Sequence, residues 1–210
     1  MKKLMFLFAF IMFTFLSCSD NENANSQNSA QIVNTKINEV LKEKNIISQK
    51  IMYNLLSKED KFKIWNDRLT KIIHNDKLTE QQLNLLNDLK SQLSVSLFNN
   101  DSMNDNREIF KNVYIKTFLK KSIAVFSEEF IYNNFYTLSN KSNDQIISRE
   151  IVLENNIVGP KSKCTCNIGS IWSCSGLGTC RRSDCEPTQN WGGCGFLMFF
   201  DCNGKCFIYY

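Results

Sequence analysis

The sequence predicts an α+β protein: an all-α region followed by a small, disulfide-rich module that contains a β-hairpin. Three observations predict it. All eight Gly, both Pro and eight of the nine Cys lie at or after position 159. The stretch from Thr35 to Asn155 holds neither Gly nor Pro, and its apolar residues recur three and four positions apart, the spacing of amphipathic helices. From Cys164 to Cys206 the chain carries eight thiols, a density that persists as a framework only in an oxidising compartment. A cytosolic metabolic enzyme is not expected on that ground. The net charge of +4 over 210 residues forms no basic stripe, so nucleic acid is not an expected partner.

Residues 1–17 read as a signal peptide. Lys2 and Lys3 precede thirteen residues, Leu4 to Leu16, that are apolar except for Thr14. A bilayer span needs about 20 such residues, and a charged start with a short hydrophobic middle is the secretory pattern. Phe15-Leu16-Ser17-Cys18 resembles a bacterial lipobox, which makes Cys18 the expected lipidation site and leaves an even number of thiols to pair. Residues 18–34, rich in Asn, Ser, Gln and Ala, read as a disordered tether. Its Ser19-Asp20 start looks like the surface-export signal of some Gram-negative lipoproteins.

The helical domain is expected over 35–155. Ser57 to Asp60, Thr79 to Gln82, Asp105 to Glu108 and Ser142 to Gln145 each have the form of a capping box. They place helices at 35–56, 58–75, 80–98, 105–138 and 143–154. Phe62, Ile64, Trp65, Leu69, Ile72 and Ile73 form one core stripe, and Leu83, Leu85, Leu86, Leu89, Leu93 and Leu97 another. His74, the only histidine, is expected near a helix end on the surface. Glu128 and Glu129 are adjacent, so they point about 100° apart on a helix and do not form an opposed acid/base pair. Between Thr35 and Val158 there are 18 basic and 16 acidic residues, a balanced solvated surface.

Residues 156–163 contain the first Gly and the first Pro and are the expected linker and processing site. Beyond them, in 164–210, crosslinks have to supply what a short chain cannot bury. Four disulfides of about 2–4 kcal/mol each decide the balance. Eight cysteines allow on the order of a hundred pairings, so Cys164, Cys166, Cys174, Cys180, Cys185, Cys194, Cys202 and Cys206 cannot be matched from spacing.

Asn203-Gly204 is the preferred dipeptide of a two-residue hairpin turn, which predicts that Phe196 to Cys202 pairs with Lys205 to Tyr210. In that register Cys202 and Cys206 lie on opposite faces and bond to different partners. Cys164 and Cys166 are poorly placed to bridge each other. The ribbon would carry Met198, Phe200, Phe207 and Tyr209 on one face and Leu197, Phe199, Ile208 and Tyr210 on the other. One face covers the disulfides; the other needs the helical domain, a partner or a membrane. With Trp172, Trp191, Arg181, Arg182 and Lys205 nearby, the expected contact surface is aromatic and cationic, suited to an anionic bilayer interface.

No metal or cofactor site is expected. The module has no C-x-x-C pair and no histidine, and only Cys202-x3-Cys206 approaches ligand spacing. Gly176-Leu-Gly178 is neither a phosphate loop nor a nucleophile elbow, and no catalytic set forms around a sole histidine in another region.

Cys164-Thr-Cys166, the single cysteines at 174, 180 and 185, then Gly193-Cys194-Gly195 and Cys202-Asn-Gly-Lys-Cys206 together resemble the fulvocin C-related bacteriocin family. The resemblance covers roughly the last fifty residues. It implies an antibacterial module with four disulfides, carried at the C-terminus of an exported helical precursor. The expected protein is a non-enzymatic outer-membrane lipoprotein, periplasmic or surface-exposed. Its module acts on a target-cell membrane or envelope receptor, either anchored or released, with the helices as shield or pro-region. The alternative is a non-toxic envelope binding module. Here the spacing around the last two cysteines departs from the family's short peptide, and a lipobox is not a feature of a freely diffusing toxin.

Overall fold

The computed structural model describes residues 34–75, 77–99, 104–138, 164–170, 172, 174, 178–187 and 192–208, with the side chains of 46, 47, 75, 178 and 208 set aside. The expected signal peptide, Cys18, the tether up to 33, the helix 143–154, the linker 156–163, Trp191 and Tyr210 lie outside the described residues. The chain divides into two units, Met1–Asn38 and Glu39–Tyr210. The described part of the first is the opening turn of a helix, α1, spanning 34–42. The second holds both the remaining helices and the cysteine module.

α2 (Ile46–Asn54) follows a break at 43–45, where a continuous helix was expected. Side chains make the break. The Glu43 carboxylate accepts from the Asn45 amide at 2.7 Å, and the Asn45 carbonyl oxygen Oδ1 accepts from the Ser48 amide at 3.0 Å. Local side-chain bonds of this kind compete with the helical ladder. The buried Gln49 then ties the two helices by donating to the Val40 carbonyl at 3.0 Å.

α3 (Lys58–Asn75) starts at Ser57, whose hydroxyl accepts from the Asp60 amide, as the sequence predicts. Its stripe of Ile64, Trp65, Leu69 and Ile72 is buried, and the Trp65 indole donates to the Tyr53 hydroxyl at 2.9 Å. His74 is exposed in the last turn, with its Nδ1 donating to the Thr70 carbonyl. α4 (Glu80–Gln92) opens on the complete Thr79/Gln82 capping box and buries Leu86 and Leu89. It ends earlier than predicted, and the chain goes on as a 3-10 turn, Val95–Phe98, with Leu97 and Phe98 buried.

The next helix is capped by Asn104, one residue before the expected Asp105, with the Asn104 side chain accepting from the Arg107 amide at 3.1 Å. It comprises α5 (Asp105–Ile109), a π turn (Phe110–Tyr114) and α6 (Ile115–Ser122). The expected run to 138 breaks after Ser122. Ser127 caps a new helix, α7 (Glu128–Phe135), by accepting from the Phe130 amide at 3.1 Å. Glu128 and Glu129 occupy its first turn, where carboxylates favour the helix dipole. α7 and the residues after it bury Ile131, Phe135, Tyr136 and Leu138, and Arg68 of α3 donates to the Thr137 carbonyl.

Among the described residues the module contains four short strands in two antiparallel pairs. β1 (Gly178–Arg181) pairs with β4 (Lys205–Ile208), and β2 (Gly193–Cys194) pairs with β3 (Phe200–Asp201). The hairpin is therefore β2–β3, and the predicted register around Asn203-Gly204 is corrected. Two causes are visible. Asn203 and Gly204 are held by another segment: both amides donate to the Cys166 carbonyl, and the Thr165 and Cys166 amides donate to the Gly204 carbonyl. Residues 196–198 curl into a 3-10 turn instead of extending, with Leu197 and Met198 at φ of 49° and 58°.

The disulfides are Cys164–Cys185, Cys166–Cys180, Cys174–Cys206 and Cys194–Cys202. Cys202 and Cys206 thus bond to different partners, and Cys164 does not bridge Cys166, as the sequence predicts. Cys164, Cys185, Cys194 and Cys202 form a buried cluster that includes Cys194 of β2.

Candidate functional site

The module has an inner and an outer side, and their chemistry differs. On the inner side Phe196, Leu197, Met198 and Phe199 are all buried. Gly195 permits the turn: its φ is 68°, and a Cβ there would lie 2.7 Å from the Phe200 ring and 2.8 Å from the Ser170 hydroxyl. The Phe196 ring packs on Phe118, Phe135 and Tyr136, with centroids 5.3, 5.2 and 6.0 Å away. The Phe199 ring packs on Phe98 at 4.9 Å and Phe110 at 5.3 Å. These partners come from α6, α7, the 3-10 turn after α4 and the π turn. The aromatic turn is a plug seated among the helices.

Lys50, Lys61 and Arg107 stand at this seam, and two of them, Lys50 and Arg107, bond to the module. Lys50 of α2 donates to the Thr165 carbonyl at 2.5 Å and lies 3.4 Å from the Cys194 sulfur. Burial lowers its pKa to about 8. Arg107 donates to the Phe199 carbonyl at 3.4 Å and stands over the Phe199 ring at 5.9 Å. Lys61 donates to the Asn54 carbonyl at 3.1 Å and lies over the Tyr53 ring. Burial moves both cations below, and the Tyr53 hydroxyl above, their ordinary pKa values. The cavity enclosed by Tyr53, Lys61, Phe98, Arg107, Leu197, Met198 and Phe199 is about 10 Å³. That volume holds one water at most, so this seam is a packed joint and not a substrate pocket.

The outer side is the β1–β4 ribbon. Arg181 sits opposite Lys205, Thr179 opposite Phe207 and Cys180 opposite Cys206. Arg181 and Arg182 are exposed, Lys205 is half-exposed, and Phe207 and Ile168 are 43% and 42% exposed. Exposed Asp184 and Glu186 follow on the strand's exit, so the face is cationic and apolar at the ribbon and acidic at one edge.

Of the residues expected at a contact surface, the ribbon sets Arg181 opposite Lys205, and Arg182 follows directly after β1. Ile208 ends β4 opposite Gly178, and only its backbone is described. Trp172, at φ 58°, is half-buried with its ring edge-on to Tyr136 at 6.4 Å, at the seam between module and helices. Phe199 is corrected: at 3% exposed it is an inner plug residue, because the chain turns at 196–198 and never forms the two-faced ribbon that would have displayed it. Sequence reasoning missed Lys50, Lys61 and Arg107, which are spread over three helices as ordinary members of a charged surface; no local pattern marks them.

Four disulfides are the mark of an extracellular or envelope environment. No helix among the described residues is long and apolar enough to cross a membrane. The fold and its disulfides thus define a small secreted or envelope protein in which a crosslinked module is seated on helices. No protein-family model, curated protein or solved structure matches the chain.

Proposed function

We propose that this chain is an exported, bacteriocin-like envelope lipoprotein, lipidated on Cys18, that acts by binding and not by catalysis. Its four-disulfide module works while seated on the helices and presents the β1–β4 ribbon to an anionic bacterial membrane or an envelope receptor. One observation carries the reading. The module's largest apolar segment, Phe196–Phe199, is covered by helical aromatics, whereas Arg181, Lys205 and Phe207 are on the ribbon and Arg182 follows directly after β1. A cationic strand pair with an exposed ring matches the chemistry of an anionic interface. The cysteine frame's resemblance to the fulvocin C-related family supports the antibacterial part. The lipobox and the acidic residues after it support an outer-membrane address.

The helices then serve as the module's seat, and release at 156–163 would strip the plug of its partners. That cost also favours a second reading, a permanently anchored envelope-binding module without toxicity. The test uses the oxidised full chain, with vesicles of phosphatidylglycerol and phosphatidylethanolamine against phosphatidylcholine alone, beside growth inhibition of related bacteria. The expected result is selective binding to the anionic vesicles and inhibition of growth, both reduced several-fold by Arg181→Ala/Arg182→Ala. Binding without inhibition selects the second reading; neither binding nor inhibition overturns both.

A further inference from the structure

Two of the four disulfides adjoin. The sulfurs of Cys166, Cys174 and Cys206 all lie within 4.8 Å of one another, although Cys166 is bonded to Cys180 and Cys174 to Cys206. The β1–β4 register also sets Cys180 directly opposite Cys206. Opposed residues of an antiparallel pair have Cα atoms about 4.5–5.5 Å apart, within the range a disulfide spans. Besides 166–180 with 174–206, the same four thiols therefore have a further pairing, 166–174 with 180–206, that leaves the β1–β4 ladder in place.

Access points to one end of this cluster. Cys206 is exposed and Cys180 half-exposed, whereas Cys166 and Cys174 are buried. The other two disulfides belong to the separate buried cluster that includes Cys194 of β2.

We infer that the outer ribbon is a thiol–disulfide exchange site, open at Cys206 to the thiolate of a small molecule or of a partner protein. The incoming thiolate attacks the Cys206 sulfur, the Cys174–Cys206 bond breaks, and its electron pair leaves on Cys174. The Cys174 thiolate attacks the Cys166 sulfur, forming Cys166–Cys174 and expelling Cys180 as thiolate. Cys180 then attacks Cys206 in the mixed disulfide, forming Cys180–Cys206 and returning the incoming thiolate. Electrons balance with no net oxidation, and a partner that stalls the last step stays covalently attached at Cys206.

The test incubates the oxidised full chain, without oxygen, with a substoichiometric amount of reduced glutathione, and maps disulfides by proteolysis and tandem mass spectrometry. The expected result is growth of Cys166–Cys174 and Cys180–Cys206 linked peptides at the expense of the original two, while Cys164–Cys185 and Cys194–Cys202 stay intact. Unchanged pairing, the pairing 166–206 with 174–180, or scrambling of all eight overturns the inference. A second variant reads the same point independently. In Cys166→Ser/Cys174→Ser supplied with oxidised glutathione, which accepts the two electrons and leaves as two reduced glutathiones, the thiols of Cys180 and Cys206 are expected to be lost as they join each other; persistence of both as free or glutathione-capped thiols, with the other two disulfides intact, contradicts it.

Discussion

Phe199 and Phe207 are eight positions apart in one cysteine-rich segment, yet they do different work. Phe199 is 3% exposed between Phe98, Phe110 and the Arg107 guanidinium, while Phe207 is 43% exposed on the ribbon. Phe199→Ala is expected to cost about 3–5 kcal/mol, through lost transfer energy and the cavity left in a packed joint. Phe207→Ala is expected to stay within about 0.5 kcal/mol. Denaturant midpoints of the two variants under non-reducing conditions check the difference. Hydropathy alone ranks the two rings equally. What separates them is the left-handed turn at Leu197 and Met198, conformations that cost about 1–2 kcal/mol per residue and that no sequence rule assigns to Leu or Met. Burial of four apolar side chains holds that turn in place.

The helices were legible in the sequence because their signals are local. Ser57 and Thr79 cap where they were expected to, and Ile64, Trp65, Leu69 and Ile72 of α3 and Leu86 and Leu89 of α4 are buried as their spacing predicts, with Phe62, Ile73, Leu83 and Leu85 half-buried beside them. The breaks at 43–45 and 123–127 were not legible, since Asn45 and Ser127 end one helix and begin another inside an unbroken apolar period. The hairpin was misplaced for the opposite reason. Asn203-Gly204 has strong turn chemistry, but its backbone groups pair with Thr165 and Cys166, a contact some forty residues away in sequence that overrides the local preference.

Lys50 is the tie between α2 and the module, with its ammonium on the Thr165 carbonyl and near Cys194. Burial lowers its pKa from 10.5 to about 8, so between those values the unfolded chain holds a proton that the folded chain has released. Stability relative to Lys50→Met is therefore expected to rise with pH across about 8 to 10.5, and to be flat below that window, where both states are charged. Paired denaturation curves of wild type and variant over this range measure it; a falling difference would contradict the assignment.

At the scale of the molecule, the composition break near residue 159 suggested two regimes joined by a linker, and Glu39–Tyr210 is one unit. Gly, Pro and Cys distribution reports where chemistry changes, not where packing stops. Phe196 and Phe199 reach across that change to rings from four segments of the helical region. Arg181, Arg182 and Lys205 were expected beside a hairpin around Asn203-Gly204, but the ribbon that holds Arg181 and Lys205 pairs β1 with β4, which the turn signal did not indicate. The seat was not legible either, because Lys50, Lys61 and Arg107 meet the module only through tertiary packing.

The central claim is that the module depends on its helical seat. The direct measurement places a specific protease site within 156–163, cuts the oxidised, folded protein, and follows the fragments by gel filtration without denaturant. Co-elution of the cysteine fragment with the helices, ending only when denaturant is added, is the predicted result. A cysteine fragment that leaves the column alone, folded and soluble, would contradict it.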